Sequence, residues 1–392
     1  MCKRLTNIFV IVLDFTFLFL LVFAFQQCKT SNTEKVYSTL SLSDTLQPVV
    51  ISYDQFFDSI HYVFLQTSDI SLLSQIKSVF FINNHIVIHD RRLNRVFVFN
   101  NHGDFISVIQ ADRTRKIFPR EIQSAAQFDN DRIIILDNLS QEIGIYNLAG
   151  KILLQLPARD YPTSLTFLED NICVFRPCLK SGKNFLVRII DTFGLYQSSF
   201  HFRDKINVIT NGGYIPIKYH TFYKQDDSLF LFTADNNIVY TIDEKRVRIK
   251  EMLAGPPIDS DKTTFEIANF IETNQYLFID AIINRLFFNY VYDKSNSNLI
   301  LLEPVNNPYV HVYGFQNPDP FGYPIWPAFR LNDSLLCQVV TVMSAKKFIE
   351  TPTDSLHIID RMQSDTIIHQ IMNKGIIDNP ILIFLHVKSN EE

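Results

Sequence analysis

The chain has 392 residues, is 47% hydrophobic, and carries 35 Phe and 16 Tyr against only 11 Gly. That apolar supply is ample for a large core and suits pleated, buried surfaces, leaving the turns to Asn, Asp, Ser and Pro. A net charge of −5 with both signs interspersed lacks the basic excess of a nucleic-acid binder, so no nucleic acid is expected as a partner.

The chain opens with Lys3 and Arg4, an apolar stretch over residues 8–25 broken by Asp14 and Thr16, then Cys28 and the polar run KTSNTEK. Residues 1–28 read as an export signal. A Cys just past the apolar stretch suggests a bacterial lipoprotein signal, in which the Cys28 thiol is lipidated and becomes the mature N-terminus. An uncleaved anchor helix is the alternative, since about 18 residues is the short end of a membrane span. Either way the expected partner is a membrane. Residues 29–45 are polar and Ser/Thr-rich and read as a tether.

Strand-like runs follow to the end, with no convincing long amphipathic helix. Residues 85–109 (HIVIHDRRLNRVFVFNNHGDFISVI) and 132–156 (RIIILDNLSQEIGIYNLAGKILLQL) are two copies of one pattern. Asp90 and Asp137, Phe99 and Tyr146, and Gly103 and Gly150 each stand 47 apart in one gapless register. Each copy is an apolar run, an Asp-led turn, a second run, a Gly turn and a third run. That is a β-meander, and a period in the forties predicts a propeller blade. Runs such as IIIL, VFVF and LFLF are apolar on both faces, as expected of sheets covered on both sides.

The first unit takes 76–82, 85–90, 94–100 and 104–109; the second takes 124–128, 132–137, 142–147 and 151–156. The third is stretched around Lys180-Ser181-Gly182. A fourth runs over 217–252 with Asp235-Asn236-Asn237 as its turn. A fifth uses 275–282, 285–293 and 298–304, and a sixth 334–342, 356–361 and 366–371. The spacing predicts an all-β fold: a six-bladed β-propeller over residues 46–392, of four-stranded antiparallel blades at roughly 57 residues each. N- and C-terminal strands are expected to close the ring in one blade, and the spare runs 49–51 and 381–387 are assigned to that role.

These segments resemble the six-bladed β-propeller lipoproteins common in Bacteroidetes, which are related to NHL and TolB-like propellers. The matching stretches are 60–67 (IHYVFLQT), 85–109, 235–243 (DNNIVYTID), 323–329 (YPIWPAF) and 378–384 (DNPILIF), spread over nearly the whole mature chain. That family often carries a Gly-Pro-Gly-Glu turn after its first unit; here Phe118-Pro119-Arg120-Glu121 stands in its place and both glycines are gone. The resemblance implies an exported propeller and no particular activity.

Candidate site residues follow from where turns emerge. In a meander blade the second-to-third turn and the blade-to-blade connection share a face. Arg91 and Arg92 lie in such a turn, and Arg113, Arg115, Lys116 and Arg120 in the connection 110–123. Together they read as an anion-attracting patch for a carboxylate, sulfate or acidic sugar, against the plainer reading of a solvated loop. Residues 313–329 are Pro-rich and aromatic and hold the only Trp. Tyr323 and Trp326 could stack on sugar rings or peptide side chains, or pack down as a plug.

Asp90 and Asp137 read as turn caps rather than catalytic groups, and Cys173 as a buried thiol. His85 and His89 read as strand residues. No metal or cofactor is expected, and no G-x-S-x-G, P-loop or H-E-x-x-H motif occurs. Asp-Ser/Thr-aliphatic triplets at Thr45, Ser59, Ser228, Ser334, Ser355 and Thr366 resemble O-glycosylation acceptors of exported Bacteroidetes proteins, or are plain turn chemistry. The functional expectation is a binding or scaffolding module of the bacterial cell envelope. It would be a monomeric propeller with an envelope protein, peptide or glycan as ligand. The alternative is a glycan-active propeller enzyme.

Overall fold

Isoleucine, valine and phenylalanine crowd the second and third strands of each blade because both faces of those strands are covered by neighbouring blades. Ile133, Ile134, Ile135 and Leu136 are consecutive and all fully buried. Alternate side chains serve alternate neighbours. Ile133 and Ile135 pack against the blade before, Ile134 and Leu136 against the blade after.

The computed structural model describes residues 38–388, apart from 44, 113, 115–117, 159–160, 169, 177–184, 203–219, 226–227, 235–236, 244–245, 256–263, 304–313, 320 and 351–360. The leader, Cys28 and the turn at 180–182 lie outside the described residues, as do Cys178 and the first two residues of the turn at 235–237. Residues 39–392 form one compact unit.

The first described strands are β1 (Ser38–Ser41) and β2 (Phe57–Phe64). Blade I holds β3 (Ile76–Ile82), β4 (His85–Asp90), β5 (Arg95–Asn100) and β6 (Phe105–Gln110). Blade II holds β7 (Ile122–Gln127), β8 (Arg132–Asp137), β9 (Glu142–Asn147) and β10 (Ile152–Pro157). Blade III holds β11 (Ser164–Leu168), β12 (Asn171–Arg176), β13 (Phe185–Asp191) and β14 (Tyr196–Phe202). Blade IV holds β15 (His220–Gln225), β16 (Ser228–Thr233), β17 (Ile238–Ile242) and β18 (Val247–Ala254). Blade V holds β19 (Phe265–Glu272), β20 (Tyr276–Ile283), β21 (Leu286–Asp293) and β22 (Asn298–Leu301). Blade VI holds β23 (Phe329–Arg330), β24 (Leu335–Val340) and β25 (Ile381–Val387), with β2 as its fourth strand. The fold is the expected six-bladed propeller. First strands touch first strands of neighbouring blades, so these strands ring the axis.

Ring closure uses one early and one late strand, as expected, but a different early segment. Phe57 pairs with Val387 and the antiparallel ladder runs to Phe64 opposite Ile381. Residues 49–51 do not take part: Val49 makes a single bridge to Leu302 at the rim of blade V. Three apolar residues behind Pro48 are too short to form a ladder, and Val49 and Val50 remain 41% and 53% exposed. β1, inside the stretch read as a tether, adds to β18 as a fifth strand on blade IV.

Blade VI also departs from expectation between its second and third strands. Two helices stand there, α1 (Val342–Glu350) and α2 (Arg361–Asn373). Residues 366–371, read as a strand, are a turn and a half of α2; residues 356–360 lie outside the described set. Ile367 and Ile371 are four apart, which on a helix aims both at the core of Phe321, Tyr323 and Phe348. Among the described residues no helix is long and apolar enough to cross a membrane.

The two ends of the propeller differ. First-to-second and third-to-fourth strand turns, such as 83–84, 101–104, 128–131 and 273–275, have two to four residues. On the opposite face the strand ends are separated by more sequence, as between Phe202 and His220, Leu301 and Phe329, and Val340 and Ile381. Sequence length is thus spent on one face.

Candidate functional site

The repeated Asp organises the long-connection face. Asp90, fully buried, accepts from the Gln75 N–H at 2.9 Å and the Ser74 N–H, both in the connection entering blade I, and from the Leu93 N–H at 2.8 Å in its own turn. Asp137 does the same one blade on, accepting from the N–H groups of Arg120, Glu121, Leu139 and Ser140. Both carboxylates are consumed by backbone donors, which makes them turn caps.

Asn94 then joins the turn of blade I to the connection entering blade II. Its side-chain oxygen accepts from Ile122 N–H at 2.6 Å, its amide donates to Arg120 O at 3.4 Å, and its carbonyl accepts from Ala111 N–H at 3.1 Å. Asn94 has φ +59°, a left-handed conformation that Asn tolerates. Phe118 anchors the same connection by stacking on Tyr146 at 6.3 Å, over a glycine (Gly144) where a Cβ would collide with the Phe118 ring.

Arg91 and Arg92 lie in the turn of blade I and Arg120 in the connection entering blade II, two segments that Asn94 ties together. Arg91 and Arg92 are exposed and Arg120 is half-buried. Arg113, Arg115 and Lys116 belong to the same connection and lie outside the described residues. Lys77, which the sequence reading passed over, joins them. It is the extra residue of a bulge on β3, and its ammonium donates to the carbonyl of Gln123 on β7. Gln123 is the extra residue of the matching bulge in blade II. The motifs Ile76-Lys77-Ser78 and Ile122-Gln123-Ser124 were the available signal, since bulges re-aim side chains. Gln123 continues to Thr163 O at 3.5 Å, and the Thr163 hydroxyl lies 3.3 Å from His220 Nε2. A polar band therefore crosses the first strands of four blades.

Among the described residues, no carboxylate pairs with Lys77, Arg91, Arg92 or Arg120 within ion-pair distance. Lys77 is exposed to solvent, yet its ammonium lies against protein at the Gln123 carbonyl. Crowding, and then the Arg91 charge, bring its pKa down to about 8. Below it His89 is fully buried facing blade II, and burial followed by Lys77 pushes it down to about 3, so it stays neutral. Both His89 ring nitrogens and the Ser78 hydroxyl, opposite it across β3 and β4, lack hydrogen-bond partners. The seam is positive above and uncharged but polar below.

Tyr323 and Trp326 sit elsewhere, at the seam between blades V and VI. Tyr323 is 6% exposed and stacks on Phe321 at 5.4 Å and against Phe348 at 5.2 Å. Trp326 is half-buried against Phe278 and Phe315. Among the described residues no group of three His, Cys, Asp or Glu could hold a metal. Cys173 and Cys337 are free and buried, which raises both thiol pKa values. Thr45, Ser59, Ser228, Ser334 and Thr366 are exposed, and Ser355 lies outside the described set.

A family model for a domain of unknown function, DUF4934, matches residues 38–386, from the first residue of β1 almost to the end of β25. The chain belongs to the DUF4934 family. This DUF4934 chain shares its fold with a Bacteroides fragilis protein thought to be exported, at 18% identity and a TM-score of 0.61, over 90% of this chain and 100% of that one. A DUF4221 protein of Bacteroides vulgatus matches at 11% identity and a TM-score of 0.43, over 62% of the DUF4934 chain and 84% of its own. No curated protein matches the DUF4934 chain in sequence.

Proposed function

We propose that this propeller is an exported binding module of the bacterial envelope, tethered through Cys28, and that the mouth between blades I and II takes an anionic group of a glycan or peptide. One observation carries the reading: Lys77 and Arg91 lie close enough for one charge to act on the other, with Arg92 beside Arg91 and Arg120 in the next connection, while the carboxylates Asp90 and Asp137 of those turns are spent on backbone N–H groups. Cations with no carboxylate partner among the described residues concentrate anions at such a mouth. The long connections on the same face support it, because variable loops on a rigid scaffold are where binding residues gather.

The test uses the full-length protein and two polyanions, polygalacturonate for carboxylates and chondroitin sulfate for sulfates. At least one should bind and be released by salt, as exposed charge pairs are screened. Arg91→Glu with Arg92→Glu should weaken it roughly tenfold or more, since each lost charge-assisted contact is worth about 1–3 kcal/mol. Binding unchanged in the double variant, or no binding of either polymer, refutes the mouth. The tether is tested separately, by incorporation of an alkyne fatty acid that Cys28→Ala should abolish.

A further inference from the structure

The seam between blades V and VI carries a row of polar side chains on a face otherwise filled by Phe, Ile, Leu and Val. Asn269, Asp280 and Asn289 are register partners across β19, β20 and β21, so all three project towards blade VI. The Asn289 amide donates to Asp280 Oδ1 at 2.5 Å. Phe278 and Val291, two residues away on the same face, belong to the apolar core of that seam.

Blade VI leaves this row uncovered by a regular strand. Its first strand, β23, has two residues where the other blades have five to eight. Residues 314–328 take the vacated position, closed on themselves by Phe315 N–H to Ile325 O at 2.8 Å. Gly314 permits that approach: its φ is +149° and a Cβ there would lie 2.4 Å from Ile325 O. Gln338 of β24 then fixes Trp326, accepting its backbone N–H at 3.2 Å and donating to Pro324 O at 3.0 Å. The indole packs edge-on to Phe278 at 5.9 Å and at 33° to Phe315 at 5.7 Å. Asp280, Asn269 and Trp326 all remain partly open to solvent.

The indole N–H lies close enough to Asp280 to favour its carboxylate, yet makes no hydrogen bond of regular geometry. Burial raises Asp280 to about 7, and Trp326, Asn269 and Asn289 pull the other way. A carboxyl in an apolar seam is costly, and packed hydrophobic groups would serve stability better. A planar carboxyl and amide beside a half-open indole match the hydroxyl pairs and apolar C–H face of a sugar ring.

We propose that Asp280, Asn269 and Trp326 form a binding subsite for a neutral sugar ring, with Asn289 as the positioning residue that holds the Asp280 carboxyl. The subsite belongs to a different seam from the cationic mouth and does not depend on it. Trp326 is the only Trp in the chain, so emission excited at wavelengths beyond Tyr absorption reports this seam alone. Full-length protein is titrated with cellobiose, maltose, lactose and N,N′-diacetylchitobiose. A saturable shift in emission is expected with at least one. Asp280→Asn should raise its Kd roughly tenfold, the loss expected for a hydrogen bond to a charged acceptor. Asn269→Ala should raise it too, and Asp69→Ala, at an exposed position outside both sites, should leave it unchanged. A flat response to all four sugars overturns the proposal. So does a Kd that neither seam variant moves.

Discussion

At the scale of single residues, equal side chains do unequal work according to what faces them. Asp90 was legible as a turn cap because Asp leads a tight turn in both repeats. Removing it strands three backbone N–H groups at a buried site. Asp90→Ala should therefore cost about 2–4 kcal/mol in urea denaturation, whereas Asp69→Ala at an exposed position should cost under about 0.5 kcal/mol. Lys77 was hard to read, since only the matching motifs Ile76-Lys77-Ser78 and Ile122-Gln123-Ser124 hint at the bulge that re-aims its side chain. Its amine should react with small acylating reagents with a midpoint near pH 8, against 10.5 for an ordinary lysine.

Blade V holds two carboxyl groups pushed in opposite directions. Burial alone would raise Glu272, but Lys294 and Lys250, with ammonium nitrogens at 2.5 and 2.6 Å, reverse this and hold it below its ordinary 4.5. Tyr223 donates its hydroxyl to the other oxygen. The stabilisation is present above pH 4.5 and is lost as pH falls through the depressed folded value. Glu272→Gln should cost about 3 kcal/mol at neutral pH and flatten the stability curve below pH 4.5. Asp280 behaves in reverse: its raised value makes the protein lose stability as pH climbs from about 4 to 7, and Asp280→Asn should remove that slope.

At the scale of elements, strands that repeat were readable and strands that occur once were not. Blades I and II share a register, so a sequence period fixed them. The closing strand FDSIHYVF has no second copy, and residues 49–51 look more apolar. What selects the closing strand is reach and satisfaction at its end. Asn379, fully buried, donates to Gln66 O at 2.7 Å and Ser71 O at 2.8 Å and accepts from Leu73 N–H at 2.7 Å. These bonds hold the chain leaving β2 against the chain entering β25. Asn379→Ala should cost about 2–4 kcal/mol in urea denaturation, because it leaves buried carbonyls and an N–H unpaired. Asn379→Asp should cost at least as much, because it sets a buried carboxylate against the Gln66 and Ser71 carbonyl oxygens. The helix α2 was misread for a related reason: TIIHQI is rich in β-branched residues that suit strands, and only the i, i+4 spacing of Ile367 and Ile371 points the other way.

At the scale of the molecule the described residues form six apolar cores, one in each seam, and none belongs to a single blade. The fold class was legible because each blade needs apolar residues on both faces, a composition that sequence displays directly. The candidate sites were half legible. Turn arithmetic named Arg91, Arg92 and Arg120 as candidates, but the partners that meet across seams come from distant segments. Asp280 and Trp326 share no sequence signal at all.

The clasp sets an order of events. β2 ends at Phe64 and its partner β25 begins at Ile381, so almost the whole propeller is made between the two halves of one blade. A chain that emerges from a ribosome N-terminus first holds β2 without its partner until β25 follows. Until then the nascent ring stays open, with β2 an idle edge. The arrival of β25 is therefore the latch that closes the ring.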